Sequence, residues 1–153
     1  MKIKLEIQPQ YKEMEIHICS QEDSIQVRNV LQTVKGVFDI DVMAYSDTGV
    51  TVLNSSDIIR IYAQNKQVYA DISGHGSEDH NSSFRLHERL YELEERLQKN
   101  RFIRISNSEI VNMRKIQRLD TSMTGTVKIF LTDGIQTYVS RRYISKIKEA
   151  LGI

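Results

Sequence analysis

Polar side chains suited to nucleic-acid contacts gather in the segment FIRISNSEIVNMRKI, residues 102–116. Arg104, Ser106, Asn107 and Ser108 surround the point where an alternating strand pattern stops. Asparagine can pair bidentately with adenine in the major groove, arginine with guanine or phosphate, and serine with phosphate. The alternative for Asn107 is a turn residue that bonds to its own backbone. The segment by itself leaves both interpretations open.

A pair of arginines lies near the end of the chain, in TYVSRRYISKIKEAL, residues 137–151. Apolar residues at helical spacing predict a helix here, and Ser140 is expected to be its N-cap, with the hydroxyl accepting from a backbone N–H. Arg141 and Arg142 then fall in the first turn, at the positive end of the helix dipole. Each arginine is disfavoured there by a few tenths to about 1 kcal/mol when exposed. Such a placement indicates a role outside the helix.

The charge of the chain is unevenly distributed, although the net charge is only +1. Residues 1–57 hold five basic and nine acidic residues, a net charge of −4, whereas residues 99–153 hold eleven basic and four acidic residues, a net charge of +7. A neutral protein with a basic last third favours a face that binds a polyanion. The alternative is that the charge is uneven by chance and that the basic residues are simply solvated.

Catalytic and metal-binding patterns are missing from the sequence. There is no GxSxG, HExxH or CxxC motif and no phosphate-binding P-loop. His75 and His80 lie in a polar loop over residues 73–83, but their spacing is not that of paired zinc ligands. We therefore expect no enzymatic activity, no metal, no cofactor and no small-molecule substrate.

The single cysteine and the N-terminus indicate a cytoplasmic protein. Cys19 permits no internal disulfide, which fits a reducing compartment. The first ten residues alternate charged and aliphatic side chains and lack the apolar core of a signal peptide.

Hydrophobic periodicity predicts a small β-β-α unit at the N-terminus, within residues 1–44. Alternating aliphatic residues predict a hairpin over residues 2–18. A helix follows, with Ser20 and Asp23 as its capping pair and Gly36 as its end. This unit is acidic, and we expect it to mediate dimerisation or to receive a signal.

The remainder, residues 45–153, is predicted to be a second and mainly β domain, which makes the whole chain an α+β protein. Four leucines at a 4-3-4 spacing predict one internal helix over residues 84–99, and Asn65-Lys66 is expected to be a hairpin tip. Strands are predicted in this domain at 50–53, 58–62, 68–72, 102–105, 114–119, 127–131 and 135–139, and a further strand at 38–43 precedes it.

Two of these segments together resemble the LytTR DNA-binding domain. Residues 102–116 carry phenylalanine, a basic residue, Asn-Ser and Val-Asn in the family's order, and residues 127–151 carry its Asp-Gly turn and V-S-R-R-Y. The resemblance extends from about residue 45 onward. It implies an elongated antiparallel β-fold that inserts loops, in place of a recognition helix, into successive major grooves of promoter DNA.

The resemblance also implies roles for single residues. Asn107 matches the family's base-contacting asparagine, and Arg142 matches the arginine that contacts DNA at the start of the last helix. Lys66 is the best match for a third contact, from the early hairpin tip. Arg141 is expected on a phosphate or in a structural ion pair. Ser106 stands where many members have histidine, so a contact from that position is shorter or absent.

These observations predict a standalone, response-regulator-like transcription factor that binds promoter repeats in double-stranded DNA as a homodimer. Residues 1–44 are too few for a phosphoacceptor receiver domain. Some standalone members of the family are inhibited by a membrane protein, which makes such an inhibitor an expected partner. The alternative is a protein-interaction module whose acidic N-terminal unit binds a partner, without any binding of DNA.

Overall fold

The computed structural model describes residues 7–10, 15–74, 83–122 and 125–153. The chain divides into two compact units, residues 1–37 and 38–153. Residues 2–6 and 11–14 of the predicted N-terminal hairpin, and His75 and His80 with most of their loop, lie outside the described residues. The division of roles between residues 1–44 and 45–153 stays a prediction. No helix in the described ranges is long and apolar enough to cross a membrane.

The first unit contains helix α1 (Ile25–Phe38). Its first turn is held by the Ser24 hydroxyl, which accepts from the backbone N–H of Val27 at 3.3 Å, so the predicted Ser20–Asp23 capping pair was wrong. The predicted end at Gly36 was also wrong, because the helix continues to Phe38. Glycine inside a helix costs about 1 kcal/mol but, unlike proline, keeps its N–H donor. Residues 15–18, the described part of the hairpin's predicted second strand, do not form a strand.

The second unit is built from two antiparallel sheets and two helices. Its elements are β1 (Asp41–Ser46), β2 (Gly49–Asn54), β3 (Ile58–Gln64), β4 (Gln67–Ile72), β5 (Ser83–Leu86), α2 (Leu90–Leu97), β6 (Phe102–Ser106), β7 (Glu109–Asn112), β8 (Ile116–Asp120), β9 (Val127–Leu131), β10 (Gln136–Val139) and α3 (Ile144–Leu151). The large sheet has the order β2-β1-β5-β4-β3-β7-β6, and the small sheet has the order β10-β9-β8. The mainly β, antiparallel fold predicted from the sequence is confirmed.

Two apolar cores position these sheets. One face of the large sheet packs against α2, whose Leu90, Leu93 and Leu97 are buried among strand residues from β1 to β7. A second core joins β3, β6 and β7 to the small sheet and to α3, through residues such as Ile105 and Ile147. The strands that carry the predicted DNA contacts are therefore fixed from both sides.

In the second unit, one predicted helix differs from the structure and one strand was not predicted. The helix expected over residues 84–99 is strand β5 followed by the shorter α2, because Phe84 and Leu86 also fit strand alternation, and β5 pairs with β1 and β4. Strand β7 is not predicted by the sequence, because its four residues directly follow the polar Ser-Asn-Ser turn and are too few to show a clear alternation. Since β7 pairs with both β3 and β6, its position was set by neighbours distant in sequence.

Candidate nucleic-acid interface

Backbone hydrogen bonds join the ends of strands β3, β6 and β10, which lead into three turns at residues 65–66, 106–108 and 141–143. The backbone N–H of Ala63, near the end of β3, donates to the carbonyl of Ser108 at 2.8 Å. The N–H of Ser140, just after β10, donates to the carbonyl of Ile105 at 2.9 Å. These two backbone bonds join the 106–108 turn to the hairpin before it and to the start of the last helix.

The 106–108 turn presents Asn107 at an exposed position. The Ser106 hydroxyl accepts from the backbone N–H of Ser108 at 3.2 Å, so this serine stabilises the turn itself. The Asn107 side-chain oxygen accepts from the Tyr143 hydroxyl at 3.2 Å. An amide oxygen has a second lone pair, so this bond orients the amide and still leaves it able to contact a base.

Arg104 lies behind this turn, with only 14% of its side chain exposed. Its Nε donates to the carbonyl of Ser106 at 2.7 Å, its Nη2 donates to the carbonyl of Asn107, and its Nη1 donates to the Glu94 carboxylate at 2.7 Å. All three guanidinium nitrogens therefore have protein acceptors. Arg104 holds the turn backbone, and three of its five N–H donors are engaged in doing so.

Arg141 and Arg142 are exposed and belong to a single 3-10 turn, Arg141–Tyr143, that precedes α3. Ser140 is the N-cap residue, but the predicted bond to its hydroxyl was wrong, because that hydroxyl makes no capping bond. The backbone carbonyl of Ser140 instead accepts from the N–H of Tyr143 at 2.8 Å. Within the described ranges, neither guanidinium has an ion-pair partner. Both cations therefore extend from the start of the last helix with their donors available.

Lys66 is exposed at the tip of the β3–β4 hairpin, as the sequence predicted. The two tip residues, Asn65 and Lys66, have φ angles of 51° and 63°. Two successive left-handed residues form the tight turn whose twist matches that of the flanking strands. Lysine is unusual in this conformation, and the turn holds its side chain beyond the sheet.

Sequence comparison accounts for this arrangement, because residues 48–152 match the model of the LytTr DNA-binding domain. The chain belongs to the LytTR family. The matched residues include all three turns and leave out only β1 and the first unit among the described elements.

Full-length relatives of this LytTR protein are found in Staphylococcus aureus. An uncharacterized HTH-type transcriptional regulator of strain NCTC 8325 / PS 47 is 38% identical over 144 residues, covering 92% of this chain and 89% of the relative. One from strain MSSA476 is 37% identical over 157 residues and covers 100% of this chain and 99% of the relative. In the present chain α2 and α3 are separated by five strands, so they do not form a helix-turn-helix pair.

A solved structure has the same fold. The LytTr DNA-binding domain of a Bacillus cereus protein, described as a methyl-accepting/DNA response regulator, superposes with a TM-score of 0.65 at 25% identity. The match covers 74% of this chain and 97% of that domain.

Glu94 is the site residue that the sequence analysis missed. One carboxylate oxygen accepts from Arg104, and the other lies 3.5 Å from Nζ of Lys146 on α3. Glu94 therefore links α2 to the turn that carries Asn107 and to the last helix. No local pattern could have revealed it, because this glutamate resembles the other surface acids of α2 until that helix is packed on β6.

Proposed function

We propose that this LytTR protein is a sequence-specific transcriptional regulator that inserts its three turns into successive major grooves of promoter DNA. The observation that supports this proposal is that backbone hydrogen bonds join the strand ends beside the three turns, with Lys66, Asn107 and Arg142 all exposed. Asparagine and arginine are the side chains with bidentate pairing partners on adenine and guanine.

The energies favour this assignment for the arginine pair. Placing a cation at a helix start costs under about 1 kcal/mol, whereas a good bidentate base contact contributes roughly 1–3 kcal/mol of discrimination. Arg142 makes the base contact in this proposal. Arg141 contacts a phosphate, since no described carboxylate pairs with it. Ser106, Ser108 and Arg104 keep the turn in shape while Asn107 contacts a base.

The regulator acts without catalysis, in the cytoplasm, on promoter repeats, and binds as a homodimer. A homodimer suits DNA with two repeated half-sites, because each copy of the protein contacts one half-site. Residues 1–44 receive a signal or support assembly, and a membrane-protein inhibitor is a further proposed partner.

A gel-shift of the purified protein on the DNA upstream of its own gene tests the proposal. We expect a discrete shift that survives unlabelled non-specific competitor at moderate salt. A shift that disappears with competitor, or none at all, would show that the basic segment is only solvated charge.

Lys146→Ala is expected to weaken DNA binding evenly across sequences. Loss of one phosphate contact reduces the slope of log K against log salt by about 0.9 for duplex DNA. Titrations by fluorescence anisotropy over a salt series measure this slope. The matched control is Lys35→Ala in α1, outside the family match, which should leave the slope unchanged. Equal slopes for wild type and Lys146→Ala would remove Lys146 from the interface.

Arg104→Lys distinguishes a turn-holding role from a direct DNA contact. Lysine keeps the charge but has no planar fork, so it cannot donate at once to two carbonyls and the Glu94 carboxylate. We expect specific affinity to fall by less than about fivefold, which is below the loss expected for a bidentate base contact, with an unchanged salt slope. Faster hydrogen exchange at the Ser108 amide should accompany the loss. Unchanged exchange together with reduced affinity would instead indicate that Arg104 contacts DNA.

A further inference from the structure

Strand β2 (Gly49–Asn54) forms one edge of the large sheet, and its only neighbour among the described strands is β1. An antiparallel edge strand directs the N–H and C=O groups of alternate residues away from the sheet. Natural proteins usually protect such edges with charged residues or proline. The sequence of β2, GVTVLN, contains neither. Among the described strands none pairs with this edge, and no charge or proline on β2 blocks the pairing of another strand.

The same edge carries an exposed apolar patch. Val50 and Val52 are 62% and 53% exposed, and across the β1–β2 pairing they lie opposite Tyr45 and Met43, which are 37% and 46% exposed. Opposed residues of an antiparallel pair share one face of the sheet. These four side chains, which we call the edge patch, thus lie together on the face opposite Leu53, which is buried in the core with α2.

We propose that β2 pairs with β2 of a second copy of this chain, antiparallel and about a two-fold axis at Thr51. In this register Val50 of each copy lies opposite Val52 of the other. Because opposed residues share a face, the two edge patches join into one apolar strip that crosses the interface. The large sheets of the two copies then form a single continuous sheet.

The absence of charge on β2 selects a second copy over a charged peptide. Self-pairing about a two-fold axis places the same strand against itself, so a charged residue near the axis would come close to a like charge. Here Thr51 faces Thr51, Val50 faces Val52 and Gly49 faces Leu53, so no like charges meet. The nearest turn acid, Asp47, lies beyond the end of the paired segment. This interface lies within residues 38–153 and does not depend on whether the protein binds DNA.

A cysteine placed on the proposed axis tests the register directly. Thr51→Cys, in a Cys19→Ser background, puts two thiols opposite one another at a Cα separation of about 4.5–5.5 Å. Disulfides form at Cα separations of about 4.4–6.8 Å. We expect mild oxidation to convert most of this variant into a covalent dimer on a non-reducing gel, in the absence of DNA.

The matched control is Thr48→Cys in the adjacent turn, in the same background. In the proposed register its two copies lie about 20 Å apart along the strands. It should therefore stay uncrosslinked under the same oxidation. Failure of Thr51→Cys to cross-link, or equal cross-linking of both variants, would overturn the proposal.

Sedimentation of the unmodified chain provides the second measurement. The wild type is expected to sediment with twice the mass of one chain. Val52→Lys should be monomeric, because an edge lysine blocks pairing, and the isosteric Val52→Thr should remain dimeric. Since Val52 is exposed, thermal unfolding should show both variants folded. A monomeric wild type, or a dimeric Val52→Lys variant, would contradict the proposal.

Discussion

Arg60→Ala is expected to lower the free energy of unfolding by about 3–5 kcal/mol, the cost of leaving buried charges without their partner. Arg60 Nε lies 2.6 Å from Oδ2 of Asp71, and its Nη1 lies 3.1 Å from Oε1 of Glu109. The Asp71 and Glu109 side chains are only 3% and 13% exposed. Removing the guanidinium leaves both carboxylates buried and uncompensated.

The remaining bonds of this network cannot replace the lost cation. The Thr137 hydroxyl donates to Glu109 at 2.6 Å, and the Ser83 hydroxyl donates to Asp71. Each hydroxyl is neutral and satisfies one oxygen. Because the network joins β3, β4, β5, β7 and β10, its loss also loosens the strands next to the 106–108 turn.

The pH dependence of this contribution follows from the pKa of Arg60. Burial lowers the pKa, but the hydrogen bonds and charges of Asp71 and Glu109 raise it by more, so the net shift is upward from the ordinary value. A raised pKa contributes stability at every pH below the unfolded value, which for arginine includes all ordinary conditions. The stabilisation by Arg60 should therefore be constant near neutral pH.

Urea unfolding at neutral pH, extrapolated linearly to water, measures the change. Arg60 lies over the Tyr62 ring, 4.7 Å from its centroid. The matched control is Arg118→Ala, since Arg118 likewise lies 3.9 Å from the centroid of the Phe130 ring and 3.8 Å from the Asp120 carboxylate. Its side chain is 60% exposed, so we expect a loss of at most about 1 kcal/mol. Equal losses for the two variants would show that the Arg60 network is not desolvated enough to matter.

The sequence predicted the strands well where two-residue periodicity and turn chemistry agreed. The Asn65-Lys66 tip and the β9–β10 pair are examples, because each is defined by residues close in sequence. Periodicity misled at Phe84–Leu86, where apolar spacing suits both a strand and a helix. The neighbours β1 and β4 decide the outcome there, and those pairings are not visible in a local window.

In the candidate site, too, the sequence predicted some features, and others depend on residues distant in sequence. Asn107 and Arg142 could be selected from the sequence because their types, order and spacing resemble a known motif. Arg104 has the same side-chain chemistry as a DNA contact, and only the structure shows its three nitrogens engaged within the protein. The Tyr143–Asn107 bond spans 36 positions, so nothing local predicts it. Residue type indicates what a side chain can bind, whereas packing decides what it does bind.

Asn107→Ala is expected to reduce affinity for the specific site by roughly 5- to 150-fold, which corresponds to the loss of about 1–3 kcal/mol from one bidentate base contact. Affinity for unrelated DNA should hardly change, because phosphate contacts supply nearly all of non-specific binding. Competition titrations with specific and scrambled duplexes at fixed salt give both quantities. The ratio between them, more than either affinity, measures the contribution of Asn107.

The structure provides two comparisons that separate base contact from simple disruption of the turn. Asn29→Ala makes the same substitution in α1, outside the family match, and should leave the affinity ratio unchanged. Tyr143→Phe removes only the hydroxyl that orients the Asn107 amide at 3.2 Å, so it should cause a smaller loss in the same direction. In the Asn107→Ala background, Tyr143→Phe should have no further effect, because the hydroxyl then has no amide to orient. Additive losses would mean that Tyr143 acts on DNA by itself, and an unchanged specificity ratio for Asn107→Ala would mean that Asn107 serves the turn and does not contact a base.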